Sequence, residues 1–213
     1  MIHAVGVGPG DPELLTIRTR RLIEEAETLA GFATVLKVVD AIGRAERVVL
    51  TYANQTEMLD QVALRHRQGS RCVVCFMGDP SFSGRQLLDR VVAAIGEPVE
   101  VTPGISSVQL AAARAGLGFE DVVFVTFHRR GEIEPDLAFL AEALKLGRGA
   151  IVLPRPSDLM PAHIARELVR RGVSGQRTVA VYERLSGDER SWEGRLGDLD
   201  ASFSDLSILV VRP

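Results

Sequence analysis

Three short glycine-bearing turns hold the residue types best suited to handling a polar ligand. They are Gly6-Val-Gly8-Pro9-Gly10-Asp11, then Gly78-Asp79-Pro80 with Phe82 and Gly84 close behind, and Pro103-Gly104-Ile105-Ser106-Ser107. Glycine lets the backbone approach a ligand with no side chain in between. Ser106 or Ser107 is placed to cap a following helix, whose first N–H groups are unpaired and attract an anionic group. Each turn also has a plain structural reading, as a tight strand–helix connection, a β-turn or an N-cap. The capping and ligand-holding readings are compatible, because a ligand can share a helix end. A dinucleotide fingerprint needs glycine at the first, third and sixth positions. Here the sixth is Asp11, whose carboxylate would repel a pyrophosphate, and Pro9 lacks a backbone donor.

A fourth candidate is the basic turn His128-Arg129-Arg130, read either as a solvated turn or as a carboxylate-binding patch, arginine being the better bidentate partner. His3, His66 and His163 are isolated and receive no role. Cys72 and Cys75 form a C-x-x-C, but residues three apart in a strand point to opposite faces, and no second pair completes a zinc site. They are expected to be core residues. The sequence contains no nucleophile elbow, metal-spaced histidine cluster or P-loop. A reaction needing little acid–base help suits such a chain.

The turns must be held by something. Each follows a short apolar run, Ile2–Val7, Val73–Met77 and Val99–Thr102, of the kind that forms buried parallel strands. The turns therefore fall at carboxyl ends of strands, the edge where open α/β sheets bind ligands. The periodicity predicts strands over Ile2–Val7, Arg47–Leu50, Arg71–Met77 and Val99–Thr102. They alternate with helices over Thr16–Glu27, Glu57–Arg67, Gly84–Ile95 and Ser106–Ala115. Gly116-Leu-Gly-Phe-Glu120 breaks the pattern and sets an expected boundary, with domains over 1–116 and 117–213. Strand Val122–Phe127, helix Leu137–Leu146, strand Ala150–Leu153 and helix Asp158–Arg171 follow. Thr178–Tyr182, Ser191–Arg195 and Leu206–Val211 then read as strands with no helix between them, suggesting an antiparallel finish. The expected fold class is α/β, two domains, with a mainly parallel sheet in the first and a mixed sheet in the second. A cleft between two such domains is a favoured place for a ligand.

Composition narrows the partners. The net charge of −3, with scattered Lys and Arg and only 5% aromatic residues, argues against a nucleic-acid surface. No long apolar run provides a membrane span, and the N-terminus lacks the features of a signal peptide, so a cytoplasmic protein is expected.

Taken together, the opening Gly-x-Gly-x-Gly-Asp turn with Leu14-Leu15-Thr16, the central Gly-Asp-Pro and the Pro-Gly-Ile-Ser-Ser turn resemble the tetrapyrrole methylases that build vitamin B12. The likeness covers essentially the whole chain. Pro103–Arg114 with Val122–His128 is most similar to the cobalt-precorrin-7 carbon-5 methyltransferases and to the N-terminal half of precorrin-6Y methyltransferase. Ala30-Gly31-Phe32 matches a Gly-centred segment of that subgroup. The resemblance implies the two-domain tetrapyrrole methylase fold, S-adenosylmethionine (SAM) as cofactor, and a corrinoid substrate methylated at carbon 5. Carried onto matching positions, it implies cofactor contacts at Pro9, Gly78, Asp79, Phe82, Gly104, Ser106 and Ser107. Pro154, Glu183 and Leu206 join them by position alone. Implied substrate contacts are Gly8, Gly10, Asp11, Arg18, His128, Arg129 and Arg130, the arginines meeting carboxylates. Two departures bear on the substrate pocket: Ser83 stands where the subgroup often has an aromatic residue, and Arg129 where it usually has glycine. A homodimer is implied, as is fusion to or pairing with a decarboxylating carbon-15 methyltransferase. Because the chain stops at Pro213, a single-function protein or a truncated bifunctional one is expected, without decarboxylation. A non-catalytic tetrapyrrole-binding scaffold and a nicotinamide-dependent dehydrogenase are the competing readings.

Overall fold

A strand buried on both faces needs apolar side chains at every position, and Cys72–Phe76 supplies them. In the computed structural model, which describes residues 2–82, 84–156 and 158–213, this segment is the central strand of the first of two units. Ser83, and the departure noted there, lies outside the described residues. The units are Met1–Ser107 and Val108–Pro213. The division falls where the alanine-rich helix begins, whereas the sequence pattern placed it at that helix's end.

The first unit alternates β1 (Ile2–Gly6), α1 (Ile17–Glu25), β2 (Thr28–Phe32), α2 (Ala33–Val38), β3 (Glu46–Leu50), α3 (Gln55–Arg67), β4 (Cys72–Phe76), α4 (Arg85–Ile95) and β5 (Val99–Thr102). Helix α5 (Ser107–Ala115) follows. The sheet order is β3-β2-β4-β1-β5, and every pairing is parallel. Cys72 packs with Ile2, Ala4 and Val62, whereas Cys75 packs with Val5, Val7 and Leu29 on the opposite face. The cysteines are free, buried core residues, as their spacing predicts. Burial raises the Cys72 thiol and pushes that of Cys75 up to about 12.

One expectation fails here. The helix predicted through Glu27 stops at Glu25, and β2 with α2 occupies a stretch in which the sequence pattern gave no element. Thr28–Phe32 inserts between β3 and β4, pairing Thr28 with both Glu46 and Cys72. Its small residues, Ala30 and Gly31, give little strand signal. The absence of a side chain at Gly31 suits this close packing, since a Cβ would lie a tight 3.2 Å from the Cys75 carbonyl oxygen.

The second unit contains β6 (Val122–Thr126), α6 (Glu134–Lys145), β7 (Gly149–Leu153), α7 (Pro161–Arg170), β8 (Thr178–Glu183), β9 (Arg190–Arg195) and β10 (Ser207–Val211). The order is β6-β7-β10-β8-β9. Only β6–β7 is parallel; β10 is antiparallel to both β7 and β8, and β9 to β8. The sheet is mixed with an antiparallel finish, as the helix-free tail predicts. Leu140, Leu144, Ile164 and Leu168 from the two helices pack on it together with Phe127. Helix α7 starts later than expected. Arg155 and Leu159 exchange two backbone hydrogen bonds of 3.1 Å, closing a turn before Pro161 opens the helix. Among the described residues, no helix is long and apolar enough to cross a membrane.

Candidate functional site

In a parallel sheet, neighbouring strands bring their carboxyl ends to one edge. β4, β1 and β5 are neighbours, and their registers pair Gly6 with Phe76 and Val5 with Thr102. The three glycine turns are therefore level with one another. They also touch. Gly8 and Gly78 form a two-bond bridge, the Gly78 N–H donating to the Gly8 carbonyl at 2.7 Å and the Gly8 N–H to that of Gly78 at 3.3 Å. Both glycines have positive φ, 78° and 64°. Gly104 lies against the same backbone: a Cβ on it would fall 2.7 Å from the Gly6 carbonyl oxygen and would also strike that of Gly78. So Gly6, Gly78 and Gly104 are in mutual backbone contact; Gly6 and Gly104 have no room for a side chain without movement, and Gly78 is held to glycine by its positive φ.

Asp79 is the fastener of this edge. Its carboxylate is buried and accepts the Ser81 N–H at 2.6 Å and the Gly104 N–H at 3.1 Å, joining the second turn to the third. The Phe82 N–H donates to the Asp79 carbonyl at 3.0 Å, closing the turn that presents the half-buried Phe82. Ser106 is buried just before α5, and Ser107 opens that helix. The first turn is more exposed beyond Gly8. Pro9 is half-buried and Gly10 exposed, while the Asp11 carboxylate accepts the Glu13 N–H at 2.8 Å and caps the short turn Pro12–Leu14. Thus Gly8, Pro9, Gly10, Asp11, Gly78, Asp79, Phe82, Gly104, Ser106 and Ser107 gather on one edge. Arg18 does not join them. Its guanidinium pairs with Glu100, which sits opposite His3 on the edge strand β5, two residues before that strand's carboxyl end.

The second unit has an equivalent edge. β7 and β8 both run opposite to β10, and β6 runs with β7. The ends of β6, β7 and β8 therefore coincide with the start of β10. This topology brings together His128, Arg129 and Arg130 after β6, Pro154 after β7, Glu183 at the end of β8 and Leu206 before β10. Pro154 is buried and Leu206 is 62% exposed. The Leu206 carbonyl accepts the Arg184 N–H at 2.9 Å. The Glu183 carboxylate accepts the Ser204 N–H at 2.5 Å, and this bond holds its pKa below the usual carboxylate range. His128 is exposed, but partial desolvation of its imidazole lowers its pKa, with the negative charge of Asp205 opposing. Arg129 is partly committed, since its guanidinium pairs with Asp136.

Sequence reasoning passed over four residues at this second edge. Among the described residues, the hydroxyls of Ser186 and Ser207 and the Nε of Arg184 are buried with no hydrogen-bond partner, while Ser204 sits against the Glu183 carboxylate. Buried polar atoms are ordinarily paired. Arg184 and Ser186 also have positive φ, 48° and 71°. Residues other than glycine rarely adopt that region, and such strain concentrates at functional sites. Nothing in the residue types announces it. The turn is held by Glu189, whose carboxylate accepts the Ser186 N–H at 2.8 Å and binds both arms of Arg114 at 3.0–3.2 Å.

A family model described as tetrapyrrole (corrin/porphyrin) methylases matches residues 1–200. A protein of Methanocaldococcus jannaschii named as a probable cobalt-precorrin-7 C(5)-methyltransferase is 28% identical over 212 residues, covering 99% of this chain and 97% of its own. The cobalt-precorrin-7 C(5)-methyltransferase of Salmonella typhimurium is 34% identical over 187 residues, covering 87% of this chain and 86% of its own. Among solved structures, the uroporphyrin-III C-methyltransferase of Thermus thermophilus, complexed with S-adenosylhomocysteine, superposes with a TM-score of 0.72. It is 26% identical and covers 99% of this chain and 96% of its own.

Proposed function

Since the chain belongs to the tetrapyrrole (corrin/porphyrin) methylases, we propose that it transfers a methyl group from SAM to carbon 5 of a precorrin or cobalt-precorrin on the route to cobalamin. The observation that carries the assignment is the match, over most of its length, to two proteins named for that reaction. The residues fit the cofactor. The first unit offers a side-chain-free backbone edge at Gly6, Gly78 and Gly104, and the second offers buried hydroxyls at Ser186 and Ser207 that have no partner among the described residues. The proposed cofactor-facing residues are Pro9, Gly78, Asp79, Phe82, Gly104, Ser106 and Ser107 in the first unit. In the second they are Pro154, Glu183 and Leu206.

When bound, SAM supplies an already activated methyl on a sulfonium sulfur. The protein's part is to bind, orient and exclude water. Fixed geometry of this kind lowers barriers by about 7–11 kcal/mol in favourable cases. Asp79 serves by holding two turns in register rather than by moving a proton, since both its oxygens already accept backbone N–H groups. His128, Arg129 and Arg130 are proposed to meet substrate carboxylates, with Gly8, Gly10 and Asp11 lining the substrate side of the first edge. A homodimer in the cytoplasm, paired with or fused to a decarboxylating carbon-15 methyltransferase, completes the reading.

The test is direct. The protein is incubated with carbon-13-methyl SAM and a late corrin precursor, and the product is examined by mass spectrometry and carbon NMR. One labelled methyl at carbon 5 is expected. A label at another ring carbon moves the protein to a neighbouring methylase. Absence of S-adenosylhomocysteine binding at millimolar ligand overturns the methyltransferase reading.

A further inference from the structure

The carboxyl edge of the first sheet does not end at the three glycine turns. It continues across β2 and β3, where an aromatic pair stands. Ala30 pairs with Val74 on β4, so Phe32 is level with Phe76 and hence with Gly6. Phe32 also pairs with Leu50, and Tyr52 follows two residues later. The two rings lie 5.2 Å apart, tilted by 50°.

Tyr52 is 71% exposed. A single exposed apolar residue needs no explanation, but this one is held on a fastened turn. The Thr51 N–H donates to Asn54 Oδ1 at 2.7 Å, and the Asn54 N–H returns a bond to Thr51 Oγ1 at 3.1 Å. Behind the turn, the buried Gln55 donates from Nε2 to the Tyr52 carbonyl at 3.3 Å. Its Oε1 accepts from Arg90 at 3.3 Å, which keeps a half-exposed guanidinium beside the same turn. A flat apolar surface, a second ring behind it and a tethered positive charge together match one ligand chemistry. They suit a planar conjugated ring system with carboxylate arms.

We propose that Tyr52, backed by Phe32, is the stacking platform for one face of the tetrapyrrole substrate, and that Arg90 meets one of its carboxylates. The inference rests on the methylase reading but not on which ring carbon is methylated. Tyr52 and Arg90 are specificity-determining rather than catalytic, for they select ring shape and charge without touching the reacting carbon.

Uroporphyrin III, a planar polycarboxylate, serves as the probe, titrated by its own fluorescence, with S-adenosylhomocysteine titrated in parallel by calorimetry. Tyr52→Ala is expected to weaken uroporphyrin III binding about ten-fold, which corresponds to about 1.4 kcal/mol and lies on the scale of aromatic stacking. Tyr52→Phe should stay within about two-fold, because the ring face remains. S-adenosylhomocysteine affinity should not change in either variant. Arg90→Gln should weaken the porphyrin several-fold at low salt, and that difference should shrink as salt rises. If Tyr52→Ala binds uroporphyrin III as the unsubstituted protein does, or loses both ligands equally, the platform is refuted and the methylase reading stands. If the unsubstituted protein binds S-adenosylhomocysteine but no uroporphyrin III, the platform is likewise refuted. If it binds neither, the methylase reading falls as well.

Discussion

Replacing Gly104 by alanine tests whether the three turns are truly interlocked. The φ of Gly104 lies outside the positive range that strains a side chain, so the methyl group costs nothing by backbone conformation. Its whole cost is steric. The new Cβ would sit 2.7 Å from the Gly6 carbonyl oxygen and strike the Gly78 carbonyl, neither of which is a flexible side-chain end. Overpacking of this kind costs about 1–3 kcal/mol. Moving Gly78 would also loosen its bridge to Gly8 and the Asp79–Gly104 hydrogen bond, adding about 1 kcal/mol. The expected destabilisation is about 2–4 kcal/mol, a fall in Tm of roughly 5–15 °C for a chain of this size. Gly96→Ala is the control. Its φ is +72° and nothing lies within 4 Å, so it carries only left-handed strain, about 1–2 kcal/mol. Both variants are unfolded by heat and by urea, and S-adenosylhomocysteine affinity is measured on the folded proteins. Gly104→Ala should lose at least ten-fold in affinity and Gly96→Ala none. If Gly104→Ala is no less stable than Gly96→Ala and binds normally, the interlock argument is wrong.

Three further outcomes are expected. Glu183 has a depressed pKa because it accepts the Ser204 N–H, so it stabilises the fold above its unfolded pKa, and that contribution is lost as pH falls through its folded value. Glu183→Gln should therefore lower stability at neutral pH yet converge with the unsubstituted protein in acid. Parallel stability curves would refute it. Arg129→Ala with Arg130→Ala should weaken binding of a tetrapyrrole carboxylate while sparing S-adenosylhomocysteine, with the loss diminishing in high salt; calorimetry that finds equal loss of both ligands would indicate damage to the fold instead. Neither buried cysteine should react with a thiol reagent in the native protein at mild alkaline pH, and both should react after denaturation, since burial raises both thiols. A fast-reacting thiol before unfolding would contradict the core assignment.

The parts of the fold legible in the sequence were those driven by apolar runs. Cys72–Phe76 reads as a strand because burial on both sheet faces requires such side chains, whereas Val99–Thr102, also expected to be buried, is an edge strand with only Thr102 buried. β2 was illegible because its middle is Ala30-Gly31, chosen for close approach to β4 rather than for strand propensity. The start of α7 was misplaced because the Arg155–Leu159 bridge is a backbone event with no residue signature, although Pro161 marked the true first turn. At the site, glycine betrayed the first unit's edge. The partnership of Asp79 with Gly104, and the positive φ of Arg184 and Ser186, depend on contacts and conformations that residue types do not encode.

The glycine interlock has a kinetic consequence. Gly6 and Gly104 lie at opposite ends of the first unit's sequence, yet their backbones pack directly together with Gly78. Contacts so distant along the chain carry a large loop-closure cost and form slowly. The interlock can close only after β1, β4 and β5 have aligned, so it is expected to form late in folding. Interactions absent from the folding transition state act on escape from the native state rather than on arrival. A ligand that grips these turns should thus lengthen the lifetime of the folded protein while leaving its folding rate unchanged, making resistance to unfolding a timer of occupancy.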